Sequence, residues 1–377
     1  FRHGCRVLST LVETIPRVAY LAADSKEWAM ADIEVDSDIT RAKAIPSRFY
    51  HHRETHNRMM KAFSSSWLFA AHQHEMERHN ILPLPQMTEL GEAMILTKSD
   101  AEGGIHCRSN VCTHRGMLVA QQPCHVKTLQ CPYHGRTFSL DGKFRSMPEF
   151  AGVTDFPSPR DDLMEYDIDV WNGLLFTIFD NSSAESSSDF ARIRDELEIR
   201  LGWLEVEKFR YDPSRDRDYS IAANWALYVD NYLEGLHIPH VHPDLNQTLD
   251  YDLYRTETFP GGVVQVGIAK PGEACFDLPE SSPDHGQLIG AYYFWIFPNT
   301  MLNFYPWGLS VNIVIPSDVE ETRILYRGYV GSVDDLGKGA GGDLDKVEAE
   351  DQSIVEAVQK GIKSSAFQRG RYSPNRE

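Results

Sequence analysis

The sequence predicts an α+β chain of two domains: a small all-β domain, then a larger one mixing helices with strands. Three observations predict this. Residues from about Trp67 to Phe179 break into short strand-like runs separated by Gly, Asn and Asp turns. A polar, serine-rich stretch from Asn181 to Asp189 (NSSAESSSD) reads as a boundary loop. Beyond it helical spacing and long apolar strand runs share the rest of the 377 residues, a length with room for both domains.

In order along the chain, residue 1 is Phe rather than Met, and residues 1–23 carry Arg2, Arg6 and Arg17 with Glu13 as the one acid. A transit peptide has this composition. The preferred reading makes Met30 the natural start, with 1–45 an N-terminal extension, partly disordered or non-native. Ser47 to about Phe63 has helical spacing through Phe49, Met59, Met60 and Phe63, and leads a domain of residues 46–180. Its strand-like runs are MILTKSD, IHCRSNVC, TFSLDGKFRS and LLFTIFD, with a hairpin signal at Leu140-Asp141-Gly142. In residues 181–377, helical spacing runs from about Asp189 to Trp203 and begins again near Ala223. Strands follow from about 262 to 331, and a terminal helix from about Asp343 to Lys360.

Hydrophobic content of 42% and aromatic content of 11% are those of a globular chain with a sizeable core. A net charge of −18 argues against a nucleic-acid partner. No apolar run reaches the roughly 18 residues a membrane helix needs, so no membrane partner is expected. Of the six cysteines, 5, 107, 124 and 275 show no framework spacing, which suits a reducing, cytoplasmic setting.

The remaining two, Cys112 and Cys131, each share a short Gly-containing loop with a histidine: Cys112-Thr113-His114-Arg115-Gly116 and Cys131-Pro132-Tyr133-His134-Gly135. Two thiolates and two imidazoles can hold a metal centre. A Cys2His2 zinc site is one reading, although zinc pairs usually run C-x2–4-C and H-x3–5-H. Here each loop supplies one Cys and one His. In a Rieske [2Fe–2S] cluster two His replace two Cys on one iron. The spacing C-x-H-x16-C-x2-H with CPYHG closely resembles that family.

A second constellation lies at 224–242, NWALYVDNYLEGLHIPHVH. On one helix, Asp230, Glu234 and His237 fall within about 60° of each other, opposite Trp225, Val229, Tyr232 and Leu236. Pro239 ends the ordinary register, so His240 and His242 follow in a turn. A solvated polar face is the bland reading; the apolar surroundings and three His in six residues favour a buried metal site. In the terminal helix Val347, Ile354, Val355, Val358 and Ile362 define an apolar stripe with Asp351 near its middle. A carboxylate there is costly unless paired or metal-bound. Two His and one carboxylate with open positions is the facial triad of non-heme Fe(II) oxygenases.

With both constellations in hand, the chain resembles the α subunit of a Rieske non-heme iron oxygenase over about residues 45–365. The pattern N-W, E/D-N-x2-E/D-x2-H-x4-H falls on Asn224, Trp225, Asp230, Asn231, Glu234, His237 and His242. The late pattern E-D-x4-E-x2-Q falls on Glu350, Asp351, Glu356 and Gln359. The resemblance implies a helix-grip catalytic domain with a central antiparallel β-sheet. It also implies a [2Fe–2S] cluster on Cys112, His114, Cys131 and His134, and a mononuclear Fe(2+) on His237, His242 and Asp351. Glu234 is then the acid that bridges to a cluster His of a neighbouring subunit. O2, a small-molecule substrate, a separate NAD(P)H-dependent reductase and a homotrimer follow from the same resemblance. Two positions depart from it: Ala226 where Lys is usual, and Arg136 where many members have Trp.

An electron carrier without oxygenase activity is the reading of a different class. Respiratory Rieske proteins place an extra, disulfide-forming Cys in each loop; Met117 and Tyr133 stand there instead. The stretch AYYFWIFPNTMLNFYPWGL at 291–309 resembles the branch that includes choline, betaine and carnitine monooxygenases. A quaternary ammonium substrate suits aromatic side chains. An aromatic ring or aromatic acid is the alternative, with Tyr293, Trp295, Phe297, Phe304 and Trp307 then mostly core residues.

Overall fold

A computed structural model describes residues 35–99, 103–180 and 184–377. The start at Met30 and the targeting composition of residues 1–23 lie outside the described residues. Two compact units emerge: Ser65–Ala184, and Glu185–Glu377 joined by the chain up to Ser64.

The first unit is all-β, as expected from its short runs and turns. Three small antiparallel sheets build it. One pairs Leu68–His72 with Leu174–Thr177 and then Ile168–Trp171. A second runs Ile81–Leu84, Met94–Lys98, Ile105–Ser109 and Glu165–Tyr166. The third, Leu129–Gln130, Thr137–Phe138 and Phe144–Ser146, carries the second Cys-His loop on its leading strand. Gly142 sits at φ 79° in the expected hairpin between Phe138 and Phe144.

The second unit is a sheet with helices laid on it. Arg210–Tyr211, Glu321–Val330, Gly308–Asp318, Thr300–Tyr305, Ile289–Ile296, Gly262–Ile268 and Arg255–Phe259 pair in that order, all antiparallel, and Arg217–Ile221 pairs alongside Glu321–Val330. The central strands are buried along nearly their whole length, which is why they read as apolar runs rather than alternating ones. The terminal helix, Leu344–Gly361, lies against this sheet and against the Trp225–Tyr232 helix.

Three boundaries differ from the sequence expectation. The leading helix, Arg53–Ser64, belongs with the second unit and not with the β-domain. Phe63 packs edge-on against Trp225 at 5.3 Å, and Tyr50, just before the helix, donates to Asp230 at 2.5 Å. Part of the supposed extension is tied down as well. Ile45 N–H donates to Tyr372 Oη at 3.3 Å, and Ala44 N–H to Gly370 O at 3.2 Å. The serine-rich stretch is mostly helix, since the helix expected from Asp189 begins at Ala184.

Candidate functional site

In the β-domain the two Cys-His loops are near copies of each other. Gly116 and Gly135 both take φ 74°, where an L side chain is strained and glycine is not. This tight reversal lets Gly116 N–H reach Cys112 O at 2.9 Å and Gly135 N–H reach Cys131 O at 3.1 Å. The residue after each glycine closes the loop: Cys112 N–H donates to Met117 O and Cys131 N–H to Arg136 O, both at 2.8 Å. The thiols lie inside, each 2% exposed, and the imidazoles sit half-buried at the rim. The His114 and His134 rings are 4.8 Å apart at 70°. His114 Nδ1 is buried and meets no hydrogen-bond partner among the described residues. A metal-bound nitrogen accounts for such an orphan. No disulfide joins the described cysteines.

The second centre is built by two helices and a broken turn. Asn224 caps the Trp225–Tyr232 helix by accepting from Ala226 N–H at 3.0 Å. The helix expected to run from near Ala223 through His237 ends at Tyr232. Beyond its end the carboxylate of Glu234 accepts from the N–H groups of Leu236 and His237, which holds the chain in a turn instead of a continued helix. A short helix, Ile238–Val241, restarts with Pro239 in its first turn, and His242 follows it. His240, the unassigned histidine, points to solvent.

The break brings His237 and His242 to 5.0 Å at 80°, both aimed at the terminal helix. Glu234 Oε1 lies 2.8 Å from His237 Nδ1, and Glu350 Oε2 lies 2.8 Å from His242 Nδ1. Each carboxylate fixes its imidazole so that Nε2 turns inward. The two Nε2 atoms lie 3.7 and 3.0 Å from Asp351 Oδ1, and Asn231 Nδ2 donates to that oxygen at 2.7 Å. One donor atom each from His237, His242 and Asp351 falls within a 4.8 Å span, the donor set of a facial triad. His242 has its pKa raised: burial opposes its charge, and the bonds to Asp351 and Glu350 outweigh it.

The terminal helix buries a face that differs from the predicted stripe. Val355 and Ile362 are inside, but Ile354 and Val358 are exposed, and the inner row also holds Glu348 and Gln359. Each polar residue on or beside this row has a partner, while Glu348 Oε1 and Gln359 Nε2 are buried without one among the described residues. Glu348 accepts from Tyr228 and Tyr326 at 2.6 and 2.5 Å; burial, against these bonds, pushes its pKa up to about 7. Gln359 accepts from Asn224 N–H at 2.9 Å, and Glu356 from Ala222 N–H at 3.0 Å. Hydrophobic counting missed this face because its polar residues are held by partners far along the chain.

A cavity opens beside the triad. Six tyrosines line it: Tyr228, Tyr232, Tyr254, Tyr293, Tyr305 and Tyr326. Of the five aromatics weighed from the sequence, Tyr293 is the one that reaches it, and Trp295, Phe297, Phe304 and Trp307 are core. Strand alternation could have placed Tyr305 with Tyr293, since both strands were legible, but nothing in the sequence joins Tyr228, Tyr254 and Tyr326 to one wall.

Two family profiles match this chain: "Rieske [2Fe-2S] domain" over residues 66–157, and "Ring hydroxylating alpha subunit (catalytic domain)" over residues 201–377. The chain belongs to the Rieske non-heme iron oxygenases. It is similar to the chloroplastic choline monooxygenase of Arabidopsis thaliana, 29% identical over 75% of this chain and 68% of that protein. The carnitine monooxygenase oxygenase subunit of Escherichia coli (strain K12) is 27% identical over 86% of each chain. A solved quaternary ammonium Rieske monooxygenase shares the fold at a TM-score of 0.72 and 24% identity, covering 90% of both chains. Naphthalene 1,2-dioxygenase from Rhodococcus sp. shares it at 0.70 and 17% identity over 87% of this chain and 85% of that one. A Rieske oxygenase takes a [2Fe–2S] cluster and a mononuclear iron, and an electron carrier needs no second centre. No helix among the described residues is long and apolar enough to cross a membrane.

Proposed function

We propose that this Rieske oxygenase is a terminal hydroxylase for a quaternary ammonium compound. In this reading Cys112 and Cys131 hold the inner cluster iron, and His114 and His134 the outer one. His237, His242 and Asp351 hold the mononuclear iron, and Glu234 links that site to a cluster His of a neighbouring subunit in a homotrimer. When bound, the iron supplies oxygen activation, driven by electrons from a separate NAD(P)H-dependent reductase. The chain's own residues do the rest. Glu234 and Glu350 fix the two imidazoles, Asn231 holds the Asp351 carboxylate, and the cavity wall orients the substrate beside them. Unpaired cysteines throughout the described residues suit a reducing, cytoplasmic setting.

The observation that carries the substrate class is the cavity wall. Burial raises the pKa of all six tyrosines, so they stay neutral phenols. Tyr232 and Tyr254 are steadied by donating to Asn303 at 2.7 Å and Gln265 at 3.1 Å. Glu234 and Asp351 add negative charge, and no Lys or Arg stands among the described lining residues. Aromatic faces attract a desolvated cation by about 2 kcal/mol. The carboxylate of an aromatic acid would find no Lys or Arg on the described lining to pair with it. The same wall favours a cation with a neutral tail over a zwitterion.

Product analysis decides this. Reconstituted protein is offered a trimethylammonium alcohol, a trimethylammonium carboxylate, the alcohol's neutral tert-butyl isostere and an aromatic carboxylate. The expected order places the cationic alcohol first and the aromatic carboxylate last. Equal turnover of the neutral isostere, or hydroxylation of the aromatic acid alone, would sink the reading.

A further inference from the structure

Arg136 immediately follows the second Cys-His loop and is 2% exposed, among the most deeply buried large side chains of the described chain. A guanidinium keeps its charge in such a place, because its pKa is too high for burial to remove the proton. The surroundings are built to hold it. Its Cζ lies over the rings of Phe138, Phe144 and Phe156 at 5.8, 4.9 and 5.4 Å, each within reach of a cation–π attraction. One nitrogen donates to Asp161 at 2.5 Å, and Nε has no partner among the described residues.

The same residue touches both metal loops by separate routes. Its carbonyl accepts from Cys131 N–H, closing its own loop. Its partner Asp161 accepts, through the backbone carbonyl, the hydroxyl of Thr113, which lies between Cys112 and His114. A ring path joins it to the first imidazole as well: Phe156 lies 5.0 Å from Phe150, and Phe150 meets His114 edge-on at 5.5 Å.

We infer that Arg136 is a positioning residue that locks the two cluster loops together and sets the cluster's reduction potential by its buried positive charge. This rests on placing the cluster on Cys112, His114, Cys131 and His134. One-electron reduction, by the reductase, adds a negative charge to the cluster. Net charge and hydrogen bonding around the sulfurs are among the levers that set such potentials. A fixed cation favours the reduced state. Asp161, more open to solvent at 17% side-chain exposure against 2% for Arg136, cancels only part of it.

The test is a redox titration of the purified full chain, followed by visible circular dichroism and low-temperature EPR. The unchanged protein must first show a Rieske spectrum; its absence would overturn the cluster placement itself. With that in hand, Arg136→Met is expected to retain the spectrum but to disfavour reduction at least tenfold, about 59 mV for a one-electron couple. Arg136→Lys keeps the charge and should recover most of that shift while losing cluster faster on incubation. Asp161→Asn gives a second reading should Arg136→Met fail to assemble, and is expected to move the potential upward. A potential within twofold of the parent equilibrium in Arg136→Met, or a downward shift in Asp161→Asn, would overturn the inference.

Discussion

Glu234 and Glu350 do the same local work on two histidines, yet the proposed route gives them different fates. Each accepts from an Nδ1 and turns an Nε2 toward Asp351. Among the described residues Glu350 has one further ion-pair contact, a long one to Lys346 at 3.9 Å, so Glu350→Ala should act on iron. Orienting carboxylates of this kind are worth about 10–100-fold in metal affinity, and competition with a chelator would read that loss. Glu234→Gln keeps a hydrogen-bonding group of the same size, and should retain both the cluster spectrum and the second iron. What it should lose is transfer between them: single-turnover oxidation of a prereduced cluster slows by at least tenfold. Near-normal turnover in Glu234→Gln would refute its linking role. Glu234 was legible in the sequence, because its three-residue spacing from His237 places both on one side of a turn. The role of Glu350 was not, since it depends on a contact across 108 residues.

At the scale of elements, local chemistry decided what periodicity could not. Helical spacing predicted one helix from Ala223 through His237, but a carboxylate at Glu234 offered the backbone N–H groups of Leu236 and His237 another partner, and the chain broke there. That break is what lets two histidines five residues apart face one point. The terminal helix was found within a residue of each end, and its inner face was misjudged because Glu348 and Gln359 are buried with partners. The sheet was legible for the opposite reason: its central strands carry long apolar runs and are buried along nearly their whole length. The paired loops give a direct test of local geometry. A Cβ at Gly135 would meet only ordinary contacts, with Pro148 at 3.5 Å, so Gly135→Ala costs conformation rather than space. Left-handed backbone costs a non-glycine residue about 1–2 kcal/mol. The expected result is a lower thermal midpoint for cluster loss, with the catalytic unit's iron unaffected. An unchanged midpoint would show that the loop adapts without strain.

For the whole molecule, the question is whether the two centres of one chain serve each other or serve a neighbour. A homotrimer with cyclic symmetry makes every interface the same head-to-tail contact, so a cluster in one chain can face the iron of the next all the way round. Two inactive chains separate these routes. In the proposed assignment, His237→Ala removes an iron ligand and leaves the cluster, and Cys112→Ser removes a cluster ligand and leaves the iron site. Neither variant alone should turn over substrate. If electrons stay within a chain, co-expressing the two restores nothing, because no chain carries both centres. If electrons cross, each mixed ring holds one complete pairing among its three interfaces, and roughly a quarter of parental activity returns for equal, random mixing. Light scattering on the same preparations fixes the oligomer. A monomer, or a trimer whose mixed form stays inactive, would leave Glu234 as an orienting residue for His237 and remove its place in the electron path.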